Sequence, residues 1–186
     1  MDNILQYIAA GTAGGMLRIW NVRTSQLVEK WSAHWNAVRS LVFTPDGKGL
    51  ISCSRDGTWK CWDISFLEQS EPGYGMTKGS MTGRKIKVMA NTVRPSQCSC
   101  STIPSQYLAL LQNGVHSIAI SSDGQWIVSG SGDRTVRIWD LHNAALQCTL
   151  KGNKDVVWSV DSCRTGNYLA SGSEDGRVAL WRYEAA

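Results

Sequence analysis

Three observations predict an all-β fold of repeated blades, each built from four short antiparallel strands. Tryptophans recur at a fixed interval, each closes a β-rich run, and glycine-containing turns separate the runs. Trp20 and Trp62 stand 42 residues apart, as do Trp139 and Trp181, and the 77 residues from Trp62 to Trp139 hold one such interval plus an insert of 35. A period of roughly 40 to 50 residues marks a repeat architecture, and four strands per period make a propeller blade. With 18 glycines and nine tryptophans beside only two phenylalanines, the composition suits many tight turns and indoles buried at repeated places.

Residues 1–31 read as a partial blade that starts at its second strand, Tyr7 to Ala10, and continues through Met16 to Asn21 and Gln26 to Lys30. The second blade, 32–67, has Val38 to Phe43, a Thr44-Pro45-Asp46-Gly47 turn, Leu50 to Ser54, and Thr58 to Asp63; Asp-Gly is a hairpin signal. Residues 68–112 break the pattern and read as a solvated variable loop, with Gln106 to Gln112 a candidate for the missing outer strand of blade two. The third blade, 113–150, repeats the second from Val115 to Asp140 and adds Leu146 to Leu150 outside. The fourth, 151–186, ends without its last strand. Leu50 to Asp63, Ile127 to Asp140 and Leu169 to Arg182 align without a gap. The total is three and a half to four blades, whereas closed propellers need about four to eight. The chain is therefore expected to form part of a larger ring and, expressed alone, to expose two sheet edges prone to association.

Composition excludes several classes. Hydrophobic residues at 42% against 18% charged exclude a disordered or collagen-like chain, and no apolar run approaches the roughly 18 residues of a membrane span. Met1 to Gln6 has no signal-peptide pattern, so an intracellular protein with reduced cysteines is expected. A net charge of +4 is too mild to imply nucleic-acid binding. Cys98-Ser99-Cys100 is the closest cysteine pair and has no histidine nearby, so neither a metal nor a cofactor is expected. Gly83-Arg84-Lys85-Ile86-Lys87 could serve nuclear import or phosphate contact, but three cations in four residues arise easily by chance.

Two constellations imitate chemistry. Ser52, His34 and Asp56 supply a nucleophile, a base and its orienter, as a hydrolase triad would. Their serine and aspartate recur with the tryptophan, however: Ser52, Asp56, Trp62; Ser129, Asp133, Trp139; Ser171, Asp175, Trp181. An active site is unique, while a set repeated at blade spacing is scaffold, because a buried indole N–H or imidazole without a partner costs about 1–3 kcal/mol. No catalytic residue is expected. Blade two alone keeps the histidine, since Leu111 and Asn153 stand at that place in blades three and four, and Ala10 and Gly14 replace serine and aspartate in blade one. Gly11 to Gly15 is not followed by the Gly-Lys-Ser/Thr of a phosphate loop and reads as a hairpin turn.

Ser129-x-Ser131-x-Asp133-x-Thr135-Val136-x-Ile138-Trp139-Asp140 resembles the WD40 repeat, and the likeness covers most of the chain outside the insert. Tyr7 to Gly11, Val42 to Gly47, Gly124 to Ser131 and Val178 to Tyr183 are most similar to the C-terminal half of the propeller in fungal Tup-type corepressors, relatives of Groucho. That resemblance implies a seven-bladed WD40 propeller in which His34, Ser52, Asp56 and Trp62, with their partial copies, form a structural tetrad. It also implies partner contacts at Trp35, Arg39 and Arg55 in blade two, His116 and Gly132 in blade three, and Trp158 and Glu174 in blade four. The implied function is a non-enzymatic nuclear scaffold that captures sequence-specific DNA-binding repressors and other corepressor subunits, with no direct DNA or membrane contact. An adaptor propeller in ubiquitin ligation or RNA processing is the alternative, and a hydrolase the third reading.

Overall fold

Strands form where β-branched and aromatic residues run for five or six positions between turn residues. The computed structural model describes residues 6–69, 86–90, 114–163 and 168–182. Its elements are β1 (Tyr7–Gly11), β2 (Met16–Asn21), β3 (Leu27–Ser32), β4 (Val38–Phe43), β5 (Gly49–Ser54), β6 (Thr58–Asp63), a 3-10 turn (Ser65–Gln69), β7 (Ile86–Ala90), β8 (Val115–Ile120), β9 (Trp126–Ser131), β10 (Thr135–Asp140), β11 (Leu146–Lys151), β12 (Val157–Ser162), β13 (Tyr168–Ser173) and β14 (Val178–Arg182). They form four antiparallel meanders, β1-β2-β3, β4-β5-β6-β7, β8-β9-β10-β11 and β12-β13-β14. These are the four expected blades, with β4, β8 and β12 as successive inner strands.

One strand differs from expectation. The outer strand of blade two is β7, which pairs with β6 from Thr58↔Ala90 to Trp62↔Ile86. It lies inside the segment read as a loop, while Gln106 to Gln112, the strand expected from the sequence, falls outside the described residues. Lys87 gave the segment a solvated look, yet Ile86 and Val88 alternate with it at strand spacing, and an edge strand tolerates such a cation.

Turn chemistry repeats as well. Gly15 and Gly57 stand directly before β2 and β6, and Gly176 two residues before β14, all with φ between 77° and 81°. Arg134 occupies that place in blade three at φ 69°, a left-handed conformation that costs a non-glycine residue free energy.

Blades are held together face to face. Leu17 and Ile19 of blade one meet Leu50 and Trp62 of blade two; Ile51 and Trp59 of blade two meet Val115, Ile127 and Trp139 of blade three; Val128 and Val136 of blade three meet Val157, Val160 and Leu169 of blade four. Burying each such side chain stabilises by about 1.5–3 kcal/mol. Edge-on indole pairs, Trp31–Trp62 at 5.4 Å and Trp59–Trp139 at 5.9 Å, add the preferred aromatic geometry. Tyr7 Oη donates to the Leu67 carbonyl at 2.9 Å and ties blade one to blade two. The repeat also shows what an uncovered face looks like. Val136 is fully buried, whereas Val178, at the same place in blade four, is 72% exposed, and Leu180 beside it 76%.

Candidate functional site

Two sets of repeated positions stand out, one buried and one at the rim. The buried set is the tetrad. In blade two Trp62 Nε1 donates to Ser52 Oγ at 2.8 Å, and Ser52 Oγ lies 2.8 Å from His34 Nε2. On the other side of the ring His34 Nδ1 lies 3.0 Å from Asp56 Oδ2. For a neutral imidazole, donor and acceptor counting leaves one arrangement: the indole donates to the serine, the hydroxyl donates to Nε2, and Nδ1–H donates to the carboxylate. Thr58 Oγ1 and its backbone N–H donate to Asp56 Oδ1 at 2.6 and 2.9 Å. Burial opposes the Asp56 charge, but the hydrogen bonds from His34 and Thr58 outweigh it and hold the carboxyl at about 2.

This is the connectivity of a Ser-His-Asp relay, set in the interior of the blade. Ser52 is fully buried, His34 nearly so, and the serine oxygen already accepts the Trp62 N–H. Blade three keeps Trp139 Nε1 to Ser129 Oγ at 2.9 Å, and its Asp133 is paired by Arg137 at 2.6 Å. That pairing escaped sequence reasoning, because Arg137 belongs to no motif. Leu111 falls outside the described residues. Blade four keeps Trp181 Nε1 to Ser171 Oγ at 2.9 Å, and Ser171 Oγ donates to Asn153 Oδ1 at 3.0 Å. Asn153 thus takes half of the histidine's role. Its Nδ2 is buried without a partner, and Asp175 meets Arg177 at 3.9 Å instead.

The second set lies where the inner strands begin. The pairing of β4 with β5 runs Val38↔Ser54 and then Ser40↔Cys53, so Arg39 is an extra residue with no partner in the ladder. His116 is extra between Val115↔Ser131 and Ser117↔Gly130, and Trp158 between Val157↔Ser173 and Ser159↔Gly172. The same β-bulge therefore recurs in three successive inner strands, and a bulge re-aims the side chain it carries. The turns after β5, β9 and β13 close on these bulges through one repeated backbone bond: Arg55 N–H to Ala37 O, Gly132 N–H to Gly114 O, and Glu174 N–H to Val156 O, at 2.9–3.0 Å.

Six of the seven expected contact residues thus fall into one register, three on bulges and three on the adjoining turns. The His116 and Trp158 rings lie 4.3 Å apart, which joins blade three to blade four. Trp158 stays 46% exposed, so it both packs between blades and faces solvent. Trp35, the seventh, precedes its bulge; its N–H donates to Asp56 Oδ2 at 3.1 Å and its indole is 93% exposed. Burial first, then the charges of Arg39 and Arg55, push the His116 pKa below 6.5. Cys53, beneath the first bulge, has its thiol raised to about 12 by burial and is inert. Among the described residues no group of three or more His, Cys, Asp or Glu is placed to hold a metal ion, and no helix is long and apolar enough to cross a membrane.

Antiparallel meanders of three or four strands packed face to face, with a Trp-to-Ser bond in three blades and a full tetrad in one, define a β-propeller of tryptophan-marked repeats. The family model "WD domain, G-beta repeat" matches residues 25–63, 105–140 and 144–182, and the chain belongs to the WD40 family. It is 30% identical to Nuclear distribution protein PAC1-2 of Uncinocarpus reesii over 94% of this chain and 35% of that protein. It is 26% identical to Protein ROOT INITIATION DEFECTIVE 3 of Arabidopsis thaliana over 94% and 45%, and 28% identical to Apoptotic protease-activating factor 1 of Rattus norvegicus over 95% and 15%. Among solved structures, the β-propeller domain of Cps50 (Swd1) from Myceliophteria thermophila superposes with a TM-score of 0.68 at 16% identity, over 96% of this chain and 51% of that one. The chain thus spans about half or less of the proteins it matches. Their names cover nuclear distribution, root initiation and protease activation, so what they share with this chain is the repeat rather than one cellular role.

Proposed function

We propose that this chain is a protein-docking module that binds partners through the ring of bulges at Arg39, His116 and Trp158, flanked by Arg55, Gly132, Glu174 and Trp35. One contrast carries the reading. At the tetrad positions blades two, three and four keep the same residues, serine and tryptophan, because a buried hydrogen-bond chain needs them. At the bulge positions it keeps the backbone geometry and varies the side chain, arginine, histidine, tryptophan. A fixed frame presenting different chemistry at equivalent points is the form a recognition surface takes, and Trp and Arg are the usual interface anchors.

The narrower role, a nuclear corepressor that captures DNA-bound repressors, rests on the resemblance to Tup-type propellers alone. Affinity capture with the wild-type chain and with an Arg39→Ala, His116→Ala, Trp158→Ala variant, compared by quantitative mass spectrometry, tests both levels. Proteins bound by the wild type should be lost in the folded variant. Repressors among them support the corepressor role, whereas ubiquitin-ligase or RNA-processing subunits assign the adaptor role. An unchanged profile with the variant still folded removes the docking reading.

A further inference from the structure

The ring of bulges is electrostatically lopsided. Arg39 and Arg55 both belong to blade two, on the bulge of β4 and on the turn that hydrogen-bonds to Ala37 just before it, and the charges of both reach His116. A methyl group on Gly114 would come 2.6 Å from Arg55 Cα, so the entry to β8 and its His116 runs directly against that arginine. No acidic side chain among the described residues pairs with Arg39 or Arg55. The nearest carboxylate in sequence, Asp56, is already committed to His34 and Thr58. His116 is about nine-tenths buried, yet its Nδ1 has no hydrogen-bond partner, an arrangement that native structures rarely leave unexplained. Trp158 continues this surface into blade four through its ring contact with His116 and stays partly exposed. The acidic member, Glu174, belongs to the fourth blade.

Two unpaired guanidinium groups, a polar ring atom without a partner and an open indole edge are each completed by the same kind of ligand. We infer that the surface formed by Arg39, Arg55, His116 and Trp158 receives a carboxylate-rich segment of a protein partner, with its acidic side chains on the two arginines and its chain laid against Trp158. The inference rests on the docking role proposed above and names the chemistry of what docks. Arginine suits this task because its planar fork meets a carboxylate with two parallel hydrogen bonds. The depressed basicity of His116, caused first by burial and then by the charges of Arg39 and Arg55, is consistent with it, since a bound anion would offset the two arginines, which have no acidic partner among the described residues.

The test is fluorescence anisotropy of the full chain with a fluorescein-labelled peptide of alternating glutamate and glycine, with circular dichroism confirming the fold of every variant. Arg39→Glu or Arg55→Glu should weaken binding about tenfold, and the double variant should instead take up a lysine-glycine peptide. Lys30→Glu, an exposed change of equal charge on β3, should leave binding within about twofold. Equal weakening by Lys30→Glu and Arg39→Glu would reduce the effect to net charge and overturn the site. An oligouridylate that binds with the same arginine dependence while the acidic peptide does not would overturn it in favour of nucleic acid. Absence of peptide binding by the folded wild type, with captured partners still lost on Trp158→Ala, would overturn the acidic ligand and leave the docking role standing.

Discussion

Blades two and four differ by one residue in a buried chain of hydrogen bonds, and that residue decides how far the chain runs. In blade two His34 passes the connection from Trp62 and Ser52 to Asp56, across the blade from β6 to the turn after β5. In blade four Asn153 stops it after Ser171, leaving its own Nδ2 without a partner and Asp175 in a loose pair with a largely exposed Arg177. Imidazole has two nitrogens on opposite sides of a rigid ring and can accept from one neighbour while donating to another; a single amide is too short to span both. Blade three lies between them, with Arg137 taking over the aspartate.

The comparison breaks most visibly at the shared serine. Ser52→Ala strands a fully buried hydroxyl position between the Trp62 N–H and His34 Nε2, so it should cost about 2–4 kcal/mol of unfolding free energy. Ser171→Ala, between a half-buried Trp181 and an asparagine, should cost about 1 kcal/mol. Urea unfolding of the two variants side by side checks the order; equal losses would mean that the histidine adds nothing.

His34→Asn turns blade two into a copy of blade four and should cost about 1–3 kcal/mol at neutral pH, from the lost hydrogen bonds and an Asp56 left with fewer donors. The loss carries a pH signature. Asp56 titrates at about 2 in the folded chain and near 3.8 unfolded. A depressed carboxyl stabilises the folded state above the unfolded value and loses that contribution as pH falls through the folded one. The gap between wild type and His34→Asn should therefore be full above about pH 4 and narrow between pH 4 and 2. Unfolding free energies measured across that range would show a constant gap if the Asp56 pairing were not its source.

Much of this was legible in the sequence, for reasons that are local. The tryptophan interval, the turn glycines and the recurrent serine and aspartate are written in single residues, and the four blades, the Trp-to-Ser bonds and the tetrad of blade two follow from them. The bulges were also written there, in a form easy to overlook. Val115 and Ile118 face the same core although they are three residues apart, as do Val157 and Val160, whereas a regular strand returns to one face every two. Strand β7 was hidden because two lysines or arginines precede it and Lys87 lies within it, which reads as solvated loop. Arg137 as the partner of Asp133, and the meeting of the His116 and Trp158 rings, depend on side chains brought together by the packing of strands and blades, and no motif in the chain announces them.

Serine, aspartate and tryptophan, recurring from blade to blade, are one structural device, complete in blade two and interrupted in blade four, and the proposed recognition surface lies apart from it on the bulges. Asn153→His tests it by repair rather than by damage. Urea unfolding should show a gain of about 0.5–1 kcal/mol, as the new imidazole bonds Ser171 and reaches toward Asp175. Unchanged or lower stability in the folded variant would contradict the account, because it would mean that the equivalent positions do not do equivalent work.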